Sequence, residues 1–128
     1  MKRVIITGDD FGLALPVNAA IAEAHQKGIL STASLMVGAA FASDAIERAR
    51  ECPSLRVGLH LTLVEGYSVL PHREIPDLVD ADGAFPTRLA QAGFRFFFTP
   101  GIRKQLGAEI RAQFEAFRKT GFKLDHVN

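Results

Sequence analysis

The chain has 128 residues, 48% of them hydrophobic and 23% charged, with a net charge of +1 and one cysteine. Those numbers fit one globular domain that buries roughly two-thirds of its unfolded surface. They exclude an intramolecular disulfide and leave no charge footprint for nucleic acid or an acidic membrane.

The single cysteine, Cys52, suits a reducing compartment. No apolar run is long enough to span a bilayer and no signal-peptide core precedes the first strand, so the reading is a soluble, cytoplasmic protein. The basic pairs Arg103–Lys104 and Arg118–Lys119 fall in a helical pattern and read as its solvated face.

Strand and helix patterns alternate along the chain. Arg3–Thr7, RVIIT, is a β-branched run that predicts a strand buried on both faces. Asp9 and Asp10 follow it in GDDFG, where adjacent like charges call for a positive neighbour. Pro16–Lys27 predicts a helix, with Val17, Ala20, Ile21 and Ala24 inward and Gly28 as its stop. Ile29–Val37 predicts a second strand. Ser43–Glu51 predicts a helix with Ser43 as N-cap and Pro53 as terminator, and Arg56–Leu63 a third strand.

From Val64 to about Pro100 the period is lost, apart from a turn at DADG and the aromatic run FRFFF, Phe94–Phe98. Such a stretch reads as a lid or binding loop, or as an apolar flap over the core. Leu106, Ile110, Phe114 and Phe117 then mark a helix stopped by Gly121, leading into a strand at FKLDHV. The sum is βαβα with parallel strands. The chain stops in the middle of a strand-and-loop pattern, which suggests the N-terminal portion of a longer fold.

In such folds ligands gather outside the carboxyl ends of the strands. Asp9 and Asp10, then His60, then Asp125 and His126 stand at three predicted strand ends. Each alone has a plainer reading, as a helix cap or a hydrogen-bonded core histidine. Together, one carboxylate and two imidazoles make a ligand set for a catalytic divalent metal, with one aspartate as ligand and its neighbour as base. The sequence leaves the order of the two aspartates open. His25 reads as a helix C-terminal residue and His72 as exposed. A receiver-type phosphoacceptor domain is the alternative by pattern, but it needs an aspartate where His60 stands. A dinucleotide-binding fold lacks its second glycine in TGDDFG.

At GDDFG (Gly8–Gly12), GLHLTL (Gly58–Leu63), LDHVN (Leu124–Asn128) and STASLMV (Ser31–Val37), the sequence resembles the YdjC-like carbohydrate deacetylases. SLMVGAAFASDAIERAR, RVGLHLTLVEG and EIPDLVDADGAF resemble its hopanoid-biosynthesis-associated branch. Gly8 stands where the family more often has alanine.

The resemblance implies the N-terminal portion of a distorted (β/α) barrel of the polysaccharide-deacetylase type, taken here as one domain. It implies Asp10, His60 and His126 as ligands of a magnesium or zinc ion, and Asp9 as the base. Phe11, Asp125 and Asn128 become substrate-binding residues. The implied substrate is a small-molecule or lipid-linked N-acetylated amino sugar, a chitooligosaccharide or the N-acetylglucosamine head group of a hopanoid; Phe94–Phe98 would be a lipid contact. The family runs on past Asn128, where later barrel strands and the general acid are expected. An open half-barrel would favour self-association, such as a homodimer. The competing expectation is a non-catalytic metal- or carbohydrate-binding module.

Overall fold

The computed structural model describes residues 4–128; Arg3, at the start of the first predicted strand, lies outside them. Two compact units divide the backbone: residues up to Leu61 together with Phe117–Asn128, and Thr62–Ala116.

The first unit holds a parallel sheet in the order β1 (Thr7–Phe11), β2 (Thr32–Leu35), β3 (Arg56–Leu59). Helices α1 (Leu15–Lys27) and α2 (Ala42–Glu51) make the crossovers. Pairing sets Thr7 against Thr32 and Gly8 against Ala33, but then Phe11 against Leu35, so β1 carries one extra residue. That bulge holds Asp10 at φ 61°, left-handed backbone that a non-glycine residue rarely adopts. β2 and β3 pair without irregularity, Ser34 lying opposite Gly58.

The expected last strand is an extended ribbon along β3. Asp125 N–H donates to Val57 O, Leu59 N–H to His126 O and Asn128 N–H to Leu59 O, and Leu59 bridges Val127 in parallel.

Side chains alternate across a strand. One phase, Phe11, Ala33, Leu35, Val57 and Leu59, packs with Ile21, Ala45, Ala49 and Phe117 as the core. Each fully buried Phe or Leu contributes about 1.5–3 kcal/mol. The other phase carries Thr32, Ser34, Gly58 and then His60. Strands buried on both faces usually read as apolar throughout. Thr32 and Ser34 are buried, yet polar.

Several predicted limits shift. Val4 and Ile5 are 79% and 66% exposed, and the strand starts later, at Thr7, so the paired aspartates lie within it rather than after it. The partner strand sets this limit, because β2 begins only at Thr32 and Ile29 beside it is exposed. β3 closes at Leu59, four residues short of its predicted end.

Helix α1 turns Asn18, Ile21 and Ala22 inward, leaving Ala20 outside. Asn18 is there because its amide is needed: Oδ1 accepts the Gly12 N–H, while Nδ2 donates to Phe41 O and Asp44 Oδ2. Ser43 is not the cap of α2, which starts at Ala42 after Phe41 with no side-chain cap.

In the second unit Ile75, Leu78, Val79, Phe85 and Ile102 form a separate cluster, flanked by Leu63, Leu70, Phe96 and Leu106. The aperiodic stretch contains a 3₁₀ turn at His72–Glu74, the DADG turn with Gly83 at φ 81°, and helix α3 (Leu89–Phe98). FRFFF is therefore helical, not loop. Only Phe96 packs on the cluster, whereas Phe94, Phe97 and Phe98 are exposed, so the flap reading holds for one ring of the four.

Helix α4 (Pro100–Lys119) buries Glu109 and Gln113, two polar residues that its apolar spacing did not disclose, while Phe114 is partly out. Glu109 accepts the Val69 and Leu70 N–H groups, and Gln113 pairs with both Thr62 N–H and Thr62 O. These bonds satisfy backbone that has no ladder of its own. Gly121, at φ 82°, follows the helix as expected.

Candidate metal and base site

The polar face of the sheet gathers the residues that carry chemistry. Ser34, mid-β2 and fully buried, donates its hydroxyl to Asp9 Oδ1 at 2.7 Å. Ser34 Oγ also lies 3.2 Å from His60 Nδ1. Asn128 Nδ2 adds a second donor to Asp9 Oδ1 at 2.8 Å. The other ring nitrogen, His60 Nε2, lies 3.6 Å from Asp10 Oδ1. The bulge makes this arrangement possible. Two successive aspartates in regular β-structure would point to opposite faces, and the left-handed turn at Asp10 re-aims its carboxylate.

Asp10 and His60 are thus brought together, with Asp9 joined to them through Ser34. His126 stands apart. Its ring covers Gly58, where a Cβ would come within 2.4 Å of Cε1. Nδ1 lies 3.1 Å from Asp125 Oδ2 and 3.3 Å from Thr32 Oγ1. Among the described residues no three of His, Cys, Asp or Glu form a group that could hold a metal. Yet Nε2 of His126 is buried with no hydrogen-bond partner among the described residues. With Nδ1–H given to a carboxylate, Nε2 bears the lone pair. An orphaned buried acceptor is costly unless something positive meets it.

Asp125 also ion-pairs with Arg56 at 3.5 Å. Burial pushes its carboxyl up, but hydrogen bonds from His126 and Thr32, aided by the charge of Arg56, outweigh that and hold it below its ordinary value. Phe11, expected to touch substrate, is fully buried and packs in the core. Asn128 is exposed, with its amide engaged by Asp9. His25 does more than face a helix end, since Nδ1 meets Leu30 O and Nε2 meets Ser54 Oγ. His72 is only half-exposed, with Nδ1 on Val79 O. A cavity of about 480 Å³ beside Leu55, Arg56 and Asp125 opens at the opposite end of β3 from His60.

Sequence reasoning missed Ser34, Thr32 and Asn18. For the first two a signal existed: small hydroxyl residues two apart in an otherwise apolar strand mark one face.

Residues 3–128 match the profile of the YdjC-like protein family. The chain belongs to that family. YdjC-like relatives include proteins named carbohydrate deacetylase from Brevibacillus brevis, 35% identical over 98% of this chain and 48% of theirs, and Vibrio vulnificus, 36% identical over 98% and 47%. The chain spans about half the length of the curated relatives it matches. A solved structure from Enterococcus faecalis, of a protein named for cellobiose-phosphate cleavage, superposes with a TM-score of 0.83 at 31% identity, over 97% of this chain and 46% of that one. The parallel α/β architecture is therefore part of a YdjC-like fold. No helix among the described residues is long and apolar enough to cross a membrane.

Proposed function

We propose that this chain supplies the metal-binding and base residues of a divalent-metal-dependent carbohydrate N-deacetylase. Asp10, His60 and His126 would hold the ion, magnesium or zinc, and Asp9 would act as base. The observation that carries this reading is the run Asp9–Ser34–His60–Asp10, in which an imidazole nitrogen and a carboxylate oxygen converge at 3.6 Å. The buried Nε2 of His126, with no partner among the described residues, supports it independently. Carboxylate and imidazole donors suit zinc, and the carboxylates suit magnesium.

When bound, such an ion acts as a Lewis acid on the amide carbonyl and acidifies water. The rest falls to the chain. Ser34 and Asn128 hold Asp9 through Oδ1, which leaves Oδ2 to take the proton of the attacking water. Oxygen bonds to the acetyl carbon, the C–N bond breaks, acetate departs, and the sugar amine leaves with a proton from a donor outside this residue set. Asp125 fixes His126 by accepting from Nδ1.

The substrate would be an N-acetylated amino sugar, in line with the relatives' name. The lipid-linked version, a hopanoid head group rather than a chitooligosaccharide, draws support from the exposed Phe94, Phe97 and Phe98.

Acetate release from N-acetylglucosamine oligosaccharides by a family-length protein carrying these residues tests the proposal. Asp9→Asn is expected to lower kcat by about 10²–10⁴-fold while zinc affinity in calorimetry stays unchanged. Full activity in that variant would remove Asp9 as base. Metal binding with no acetate release from any variant, wild type included, would leave a binding module.

A further inference from the structure

We propose that Ser34 is a positioning residue that sets the tautomer of His60 and ties it to Asp9, an inference that rests on the reading of Asp10 and His60 as metal ligands. A serine hydroxyl has one proton and two lone pairs. An ionised carboxylate only accepts, so at 2.7 Å the Ser34 proton belongs to Asp9 Oδ1. The contact of 3.2 Å to His60 Nδ1 must then be filled from the ring side, with Nδ1–H donating to Ser34 Oγ. In a neutral imidazole that leaves the lone pair on Nε2, the nitrogen facing Asp10 Oδ1 at 3.6 Å. Two acceptors at that separation repel unless a cation lies with them.

Ser34 therefore works in both directions. It holds the Asp9 carboxylate in place, and it fixes the ring so that Nε2 presents its lone pair beside Asp10. Ser34 itself is fully buried, so its hydroxyl meets these two side chains rather than bulk water. Gly58 lies directly opposite on β3, where the His126 ring occupies the space its Cβ would need. A short hydroxyl meets all of these demands.

Long-range ¹H–¹⁵N spectra of the chain labelled at histidine, in metal-free buffer at about pH 8.5 where an ordinary imidazole is neutral, read the tautomer directly. Signals are assigned to His60 by their loss in His60→Gln. The expected wild-type result is the Nδ1–H form, and an Nε2–H form would overturn the proposal without any variant. Ser34→Ala is expected to move His60 toward Nε2–H and weaken zinc binding about 10–100-fold, with Ser34→Thr restoring both. A ring that stays Nδ1–H in Ser34→Ala would show that another acceptor holds it, and the assignment would fall. If the tautomer behaves as expected but wild type binds no metal, the functional reading fails while the role of Ser34 stands.

Discussion

Gly58 shows how one missing Cβ can shape a site. The His126 ring lies flat on it, and an added methyl would sit 2.4 Å from Cε1 and 2.5 Å from Nδ1. Neither atom can yield without breaking the contacts of Nδ1 with Asp125 and Thr32. Gly58→Ala is therefore expected to displace the imidazole and cost about 1–3 kcal/mol in urea unfolding, as overpacked sites do. Zinc affinity should fall with it if His126 is a ligand. An unchanged affinity in a folded Gly58→Ala protein would take His126 out of the ligand set. Asp9, Asp10 and His60 stood out in the sequence because, with Asp125 and His126, they recur at three predicted strand ends. Ser34 did not, since hydroxyl residues two apart with Thr32 mark a face but no chemistry, and its role exists only once Asp9 and His60 converge on it.

Asn18 ties three elements together: the loop after β1, the start of α2, and α1 itself. The loop turns at Gly12, whose φ of 109° and whose closeness to Met36 O exclude a side chain. Asn18→Ala leaves the buried Gly12 N–H without its acceptor, and a loss of about 2–4 kcal/mol is expected in chemical denaturation, from an unpaired group at about 1–3 kcal/mol plus lost bonds. No loss would mean that the amide is dispensable. Asp44 extends the same network. Hydrogen bonds from Arg48 and Asn18 hold its carboxyl below the ordinary 3.8. A carboxyl lowered by folding stabilises above its unfolded value, and that contribution fades as pH falls through the folded one. The stability gap between wild type and Asp44→Asn should accordingly be full at neutral pH and shrink only in acid below about pH 4. A gap that grew on acidification would contradict the arrangement. Apolar spacing placed α1 and α4 along the chain but misjudged their inner faces, because Asn18, Glu109 and Gln113 are buried to satisfy backbone that periodicity does not report.

At the scale of the whole chain, alternation of strand and helix was enough to give parallel strands, because a strand–helix–strand crossover returns the chain in the same direction, while the order β1-β2-β3 comes from the structure. The bulge in β1 was not legible, since it needs the register of β2, and neither was α3, whose aromatic run lacks a helical signature in a stretch broken by Pro and Gly. What joins the parts of the proposed site is sequence-distant: Asp10 on β1, His60 beyond β3 and His126 on the ribbon along β3. An ion held by all three binds only the folded chain, so it should stabilise the fold by mass action. At a metal concentration of about 100 times Kd the gain is about 2.7 kcal/mol, or roughly 10 °C in Tm for a chain of this size. Scanning calorimetry with zinc should show that rise in wild type, and little of it in His60→Ala or Asp10→Ala. His126→Ala decides the third ligand: a rise as large as in wild type would leave Asp10 and His60 to bind the ion without it, and a lost rise would mean that the ring leaves Asp125 or turns on it to bring Nε2 to the metal.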